Sequence, residues 1–320
     1  MRCLCCGKTI TENASTREKE WCWHKKCVKK FFHTDELPVL DITKEQLEIL
    51  ADETVNEGLT VPGVQKKLSL HLSTDMQSRL TIVDYPTGYI LKPQTEDFEN
   101  MPEYEDLAMR LIEIMGIQTV PHALIKLDHE YAYITKRIDR EITEENVNLY
   151  AMEDFCQLSR RLTQDKYKGS YENCGRIVKR YSSMPGLDLT EMYLRVAAAF
   201  VVGNSDMHLK NFSLIENMPG SRIFQLSKAY DMLPVNVIMP EDKEQMALTI
   251  NGKKRNIHKK EFRKLAESYE ISPKVAENVL KKICRMENKF LDQVEGAYLS
   301  KEQKEQVSQL VHERIKTLSL

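Results

Sequence analysis

No apolar run in the sequence approaches the roughly 20 residues that a membrane-spanning helix requires. No membrane contact is therefore expected. The start, Met1-Arg2-Cys3-Leu4, has none of the long apolar segment of a secretory leader, so a cytoplasmic location is expected. An excess of charge of either sign is also missing. Lys and Arg number 46 against 48 Asp and Glu, a formal net charge of -2. That balance excludes bulk attraction to nucleic acid or to an anionic membrane. There is no internal repeat and no low-complexity tract. What is present suits a globular chain. Hydrophobic residues make up 42% of the 320, enough for one large domain or two of ordinary size.

Cysteine is the residue whose placement is uneven. Five of the eight cysteines fall in residues 1–33: Cys3, Cys5, Cys6, Cys22 and Cys27. In a reducing compartment they are thiols or metal ligands rather than disulfides. Cys3 and Cys6 form a C-x-x-C pair, and His24 and Cys27 form a second pair at the same spacing. Seventeen residues separate the pairs. Two close pairs of such ligands are what a tetrahedral structural Zn2+ site needs, with Gly7 freeing the turn. Cys5 and Cys22 are spare thiols that keep the ligand assignment open. Four protein ligands would fill the shell, which argues against a catalytic zinc. So short a segment is expected to hold little apolar core, with metal in its place.

Thr34 to Pro38 reads as a linker, and Thr43-x-x-Gln46 as a capping box opening a helix that ends before Gly58. A glycine-bearing, Lys-rich turn follows, Pro62-Gly63-Val64-Gln65-Lys66-Lys67, leading into the alternating strand Leu68–Leu72. Backbone amides and ammonium groups in such a turn can cradle phosphates. It is not a Walker motif, and read alone it is equally a solvated strand entry. Strands over Leu80–Asp84 and Gly88–Leu91 come next, the latter delivering Lys92. Pro102 starts a helix carrying Glu105, placed to pair with Lys92. A hairpin of His122–Leu127 with Tyr131–Thr135 completes an antiparallel sheet with one helix, an α+β arrangement. Beyond Glu153 the chain reads as mainly helical, with starts at Thr190, Ser272-Pro273 and Ser300-x-x-Gln303.

The apolar run Leu194–Val202 reads as a buried helix, and Phe212–Ile215 as a strand. Between them lies Asn204-Ser205-Asp206-Met207-His208-Leu209-Lys210-Asn211. The spacing Asp-x-x-x-x-Asn suits phosphoryl transfer. Asp206 would orient an attacking hydroxyl and accept its proton, and Asn211 would offer its carbonyl oxygen to Mg2+. His208 and Lys210 fall in the same turn and could bond phosphate oxygens. Asp231, in Tyr230-Asp231-Met232-Leu233-Pro234, would supply the second hard oxygen ligand. Taken alone, the loop is as readily a polar helix-to-strand connection capped by Asn204 and Ser205.

Four blocks give the chain a family resemblance: residues 61–68, residues 89–93, residues 203–212 and residues 230–234. Together they resemble the HipA-like serine/threonine kinases, toxins of bacterial toxin–antitoxin modules, over roughly residues 57–310. The resemblance implies a two-lobed, protein-kinase-like α+β fold, with a Cys/His segment at 1–37, a sheet lobe at 38–140 and a helical lobe at 141–320. It implies ATP and Mg2+ as cofactors, Asp206 as catalytic base, and Asn211 and Asp231 as Mg2+ ligands. Lys92, paired with Glu105, would meet the α- and β-phosphates of ATP, residues 62–67 would form the phosphate loop, and Thr135-Lys136-Arg137 the adenine-reading hinge. It also places a self-phosphorylated hydroxyl at Thr60. Long family members carry an additional small domain before the phosphate loop. Here the Cys/His segment stands in its place, as in short toxins whose missing domain is a separate small protein. That protein and a DNA-binding antitoxin are the expected partners. The family implies an aminoacyl-tRNA synthetase or a translation factor as protein substrate. Two other readings remain open, a lipid or small-molecule kinase and a degenerate kinase fold that holds an antitoxin.

Overall fold

The computed structural model describes residues 1–40, 67–74, 77–81, 86–143 and 146–319. The phosphate-turn residues 62–66, Thr60 and the Thr43–Gln46 capping box lie outside the described residues. The chain divides into two compact units. One is Met1–Asp106 with Val120–Asn148, and the other is Leu107–Thr119 with Leu149–Leu320.

The first unit is built on a six-stranded sheet. Its strands are β1 (Val39–Leu40), β2 (Leu68–Ser73), β3 (Arg79–Thr81), β4 (Tyr89–Lys92), β5 (His122–Leu127) and β6 (Glu130–Lys136). Their order across the sheet is β1-β3-β2-β4-β6-β5. β1 runs parallel to β3, and the other neighbours are antiparallel. Alternation makes β2 a strand with one face inward: Leu68 and Leu70 are buried, Ser69 exposed. The β5–β6 hairpin turns at Asp128, whose φ of 53° falls where Asp is tolerated. The register sets Lys92 of β4 opposite Tyr133 of β6.

Two short helices, Thr16–Trp21 and Lys25–Phe32, precede the sheet. Ser15 and Glu18 close a capping box on the first. The expectation of little apolar core in this segment is corrected. Trp23, Val28, Phe31 and Phe32 are buried, and the rings of Phe31 and Phe32 lie 6.0 Å and 5.4 Å from Tyr89 of β4. The reason is aromatic content. These large side chains cover the sheet although the segment is short.

A two-stranded ribbon, β7 (Arg140–Ile142) with β8 (Val147–Leu149), follows the large sheet. The second unit holds a three-stranded sheet ordered β11-β10-β9, from β9 (Met152–Asp154), β10 (Ser213–Glu216) and β11 (Phe224–Leu226). β9 straddles Glu153, the point beyond which the sequence reads as mainly helical, and no strand is expected there. It is only three residues long, too short for alternation to register. The rest of the unit is mainly helical. Ser272 caps the helix Pro273–Cys284 by accepting the Val275 N–H, and Ser300 and Gln303 close a capping box, both at the expected places.

The helix expected from Thr190 begins earlier, at Pro185, and runs to Val202. Proline at the first turn has no N–H to leave unpaired, which makes it the better start. Thr190 lies inside the helix and satisfies its hydroxyl on the Gly186 carbonyl at 3.0 Å. From Val196 to Val202 the helix is buried on every side. It stops at Gly203, whose φ of 74° suits glycine, and a Cβ there would stand 2.3 Å from Leu310 Cδ2. Gly203→Ala is expected to destabilise the chain by roughly 1–3 kcal/mol through strain and overpacking. Denaturant unfolding checks this, and an unchanged midpoint would contradict it. No helix among the described residues is long and apolar enough to cross a membrane.

Candidate active site

Gly203 turns the chain out of a rigid helix into the loop that carries Asp206 and Asn211, so the loop starts from a fixed point. Asn204, 1% exposed, then braces it. Its side-chain oxygen accepts the Asp206 N–H at 3.0 Å, and its amide reaches Met232 Sδ at 3.3 Å. Ser205 Oγ donates to Asp242 at 2.7 Å. The polar start of the loop is thus bonded to the protein itself, which leaves Asp206 half-buried at its apex.

The Asp206 carboxylate accepts a hydrogen bond of 2.5 Å from the Tyr167 hydroxyl. Burial and the neighbouring carboxylate push the Tyr167 phenol well above its ordinary range, so it stays protonated and donates. A hydroxyl therefore already rests on this carboxylate in the way an attacking alcohol would. His208, 6% exposed, stands edge-on to Tyr167 with centroids 5.1 Å apart. Burial lowers its pKa, so the ring is neutral and offers no fixed positive charge to a phosphate.

Asn211 closes the loop. Its Oδ1 accepts the His208 N–H at 3.1 Å, and its Nδ2 donates to Asp231 Oδ2 at 2.7 Å. An amide oxygen has two lone pairs, so one bond does not exhaust it. Asp231 stands in the left-handed region with φ of 63°, a conformation Asp and Asn tolerate better than other residues. The structure thus brings together an amide and a carboxylate that sequence separates by twenty residues. A hard divalent cation such as Mg2+ prefers such oxygen donors. Lys210 is otherwise engaged. Its ammonium pairs with Asp154 at 2.7 Å, and Asp154 also caps the helix Phe155–Leu158.

In the first unit, Lys92 Nζ lies 2.6 Å from Glu105 Oε1, with Glu105 on the helix Met101–Ile114. The ammonium also stands 5.5 Å from the centre of the Tyr133 ring. Both partners are nearly closed to solvent, so each neutralises a charge the other could not leave unpaired. Lys92→Met is expected to cost about 3–5 kcal/mol, because it removes one partner of a buried ion pair. Adding Glu105→Leu should recover much of that loss. Equal midpoints for single and double variants in urea unfolding would contradict the buried pair.

Of the expected hinge, Thr135 Oγ1 donates to the Pro121 carbonyl at 2.9 Å, and Lys136 Nζ lies 2.9 Å from His33 Nε2. Arg137 forks onto Asp139 at 2.7 and 2.9 Å. Burial alone would raise the Asp139 carboxyl, yet bonds from Arg137 and Arg140 hold it well below the carboxylate range. Lys67, the residue before β2, is exposed. Pro62, Gly63, Val64, Gln65 and Lys66 lie outside the described residues. Sequence reasoning named Asn204 and Ser205 as caps of the loop but missed Tyr167 and Asp154 as its supports. Tyr167 lies 39 residues before Asp206 in an unremarkable polar stretch, with no spacing to betray it.

Residues 59–290 match the family model described as the HipA-like C-terminal domain. The chain belongs to that family. A relative from Sinorhizobium fredii, named "Putative kinase Y4dM", is 32% identical over 232 residues, 68% of this chain and 55% of its own. The chain spans about half the length of the curated relatives it matches. The HipA-like fold has solved counterparts. One is the Shewanella oneidensis toxin–antitoxin system of HipA, HipB and operator DNA, with a TM-score of 0.67 and 16% identity over 84% of this chain and 70% of that one. Another is the Helicobacter pylori proinflammatory kinase CtkA, with a TM-score of 0.52 and 15% identity over 74% of this chain and 86% of that one. At those identities the likeness is one of fold, a mixed α+β fold of the HipA and kinase kind.

Proposed function

We propose that this HipA-like chain is an ATP- and Mg2+-dependent serine/threonine protein kinase that acts as the toxin of a toxin–antitoxin pair. The reading is carried by one observation, a hydroxyl held at 2.5 Å on the Asp206 carboxylate, in the loop whose Asn211 is bonded to Asp231. In the proposed reaction a serine or threonine hydroxyl replaces the Tyr167 phenol on Asp206. Its oxygen bonds to the γ-phosphorus of ATP as the bond to the β-phosphate oxygen breaks. Asp206 takes the proton, and ADP leaves. Asn211 and Asp231 would hold Mg2+, which supplies charge neutralisation along the phosphates. Lys92 is assigned to the α- and β-phosphates, with Glu105 fixing its position.

The first unit takes the part of the nucleotide lobe and the second that of the catalytic lobe in a two-lobed kinase. Phosphorylation of Thr60 by the chain itself would place about -1.5 to -2 charges beside Lys66 and Lys67 and so weaken ATP binding. The Shewanella relative of this fold stands in a complex with HipB and operator DNA. By that likeness we assign this chain a DNA-binding antitoxin; a separate small protein as second partner rests on the sequence resemblance alone. Eight free cysteines fit a reducing cytoplasm. Incubation with Mg-ATP, with and without cell protein, tests the reading. Phosphoserine or phosphothreonine in added protein supports it. ADP release that depends only on a lipid or small molecule would assign another kinase class. Absence of both ATP binding and ADP release would mean a degenerate fold that only holds a partner.

A further inference from the structure

Six candidate ligands crowd the first 27 residues, and folding sorts them. Cys3, Cys6, His24 and Cys27 place their ligand atoms within 4.8 Å of one another. Cys22 turns away, its thiol directed at the Lys19 carbonyl at 3.5 Å, and Cys5 is not in the group. Around Zn2+, with bonds of about 2.3 Å to sulfur and 2.0–2.1 Å to nitrogen, a tetrahedron has edges of roughly 3.5–3.8 Å. Here Cys6 Sγ and Cys27 Sγ lie 3.3 Å and 3.9 Å from His24 Nδ1. The other ring nitrogen, Nε2, lies 3.3 Å from the Thr9 carbonyl oxygen. A carbonyl only accepts, so Nε2 carries the proton and Nδ1 presents its lone pair to the three sulfurs. The His24 backbone N–H donates to Cys3 Sγ at 3.3 Å, which fixes that sulfur beside the ring. The first pair sits on a tight turn closed by Gly7, with φ of 67° and its N–H on the Cys3 carbonyl.

The cluster does more than close on itself. β5 is the last strand of the large sheet, so its outer backbone groups need partners. At Leu124 both are supplied by the Cys/His segment. The Leu124 N–H donates to the Leu4 carbonyl at 3.1 Å, and the Leu124 carbonyl accepts Trp23 Nε1–H at 3.2 Å. Leu4 directly follows Cys3, and Trp23 directly precedes His24. Each edge contact therefore hangs on one arm of the ligand set. Trp23 and the helix behind it are also anchored by buried aromatic packing. The 1–10 arm has only Leu4 and Ile10 as buried aliphatic anchors, so it relies most on the ligands.

We propose that Cys3, Cys6, His24 and Cys27 bind one Zn2+ in a closed site of three sulfurs and one nitrogen, and that this ion clamps the Leu4 arm over the open edge of β5. Three thiolates and an imidazole suit zinc, and four protein ligands leave no place for a substrate, so the ion is structural. The inference stands independently of the kinase reading.

The full chain, purified under reducing conditions without chelator, should contain about one zinc per chain by elemental analysis. Cys6→Ser and His24→Ala should lose it, whereas Cys5→Ser and Cys22→Ser should keep it. Replacement by Co2+ should give the visible bands of a tetrahedral thiolate site. On the wild-type chain, chelation should speed amide hydrogen exchange at Leu124 at least tenfold, and added Zn2+ should reverse it. This arm needs no variant to fold. Protein without metal, another metal in zinc's place, or loss of zinc from the Cys5 and Cys22 variants would overturn the site. Bound zinc whose removal leaves Leu124 exchange unchanged would overturn the clamp.

Discussion

Asp206→Asn is expected to lower phosphoryl transfer by about 10²–10⁴-fold while leaving the fold and ATP binding intact. The amide has the same shape as the carboxylate and still accepts the Tyr167 hydroxyl through its oxygen. What it cannot do is take a proton from an attacking alcohol. The loop should keep its path, because its brace is made elsewhere. Asn204 holds the Asp206 N–H, Asn211 holds the His208 N–H, and neither bond uses the Asp206 side chain. Single-turnover measurement of phosphate transferred from Mg-ATP, beside a binding titration with ATP, gives both quantities. Transfer at the wild-type rate in the folded variant would remove Asp206 from the mechanism. Loss of ATP binding together with transfer would point to a structural role instead.

Asp231→Asn should be comparably severe for a different reason. Asp231 occupies the left-handed region, and Asn is the residue that tolerates it at least as well. The substitution therefore adds no backbone strain, and the Asn211 amide can still donate to the new side-chain oxygen, as it does to Asp231 Oδ2. Only the negative charge disappears. A direct ligand should matter more than a group that merely supports one, whose loss costs roughly 10–100-fold in metal affinity or activity. Transfer should fall by more than that, with partial recovery when Mg2+ is raised. If a folded Asp231→Asn chain has an unchanged Mg2+ dependence, Asp231 is not a metal ligand.

Short-range chemistry was readable along the chain. The hairpin His122–Leu127 with Tyr131–Thr135 follows from two apolar runs about the turn Asp128-His129-Glu130, and the caps at Ser272 and Ser300 follow from their neighbours. Asp206 and Asn211 were legible because their separation is fixed within one loop. Strand β9 was not, since three residues cannot show a period, and its pairing with β10 connects positions sixty residues apart. The start of the buried helix was misplaced because a capping hydroxyl at Thr190 resembles a helix start wherever it stands. Pro185 marks the start, while the Thr190 hydroxyl only turns back onto its own helix.

Sequence by itself determined the family, the α+β class and the residue types of the candidate site, because motif spacing and hydrophobic period are local properties of the chain. The tertiary structure decided which partners those residues have. It set Tyr167 on Asp206 and Asp154 on Lys210, and it joined Asn211 to Asp231. It also gathered the ligand atoms of Cys3, Cys6, His24 and Cys27 within 4.8 Å of one another, turned the Cys22 thiol to the Lys19 carbonyl, and carried Leu4 and Trp23 to the edge of β5. Hydrogen bonds and metal coordination act over about 2–4 Å. Only the folded path of the backbone brings side chains many residues apart within that reach.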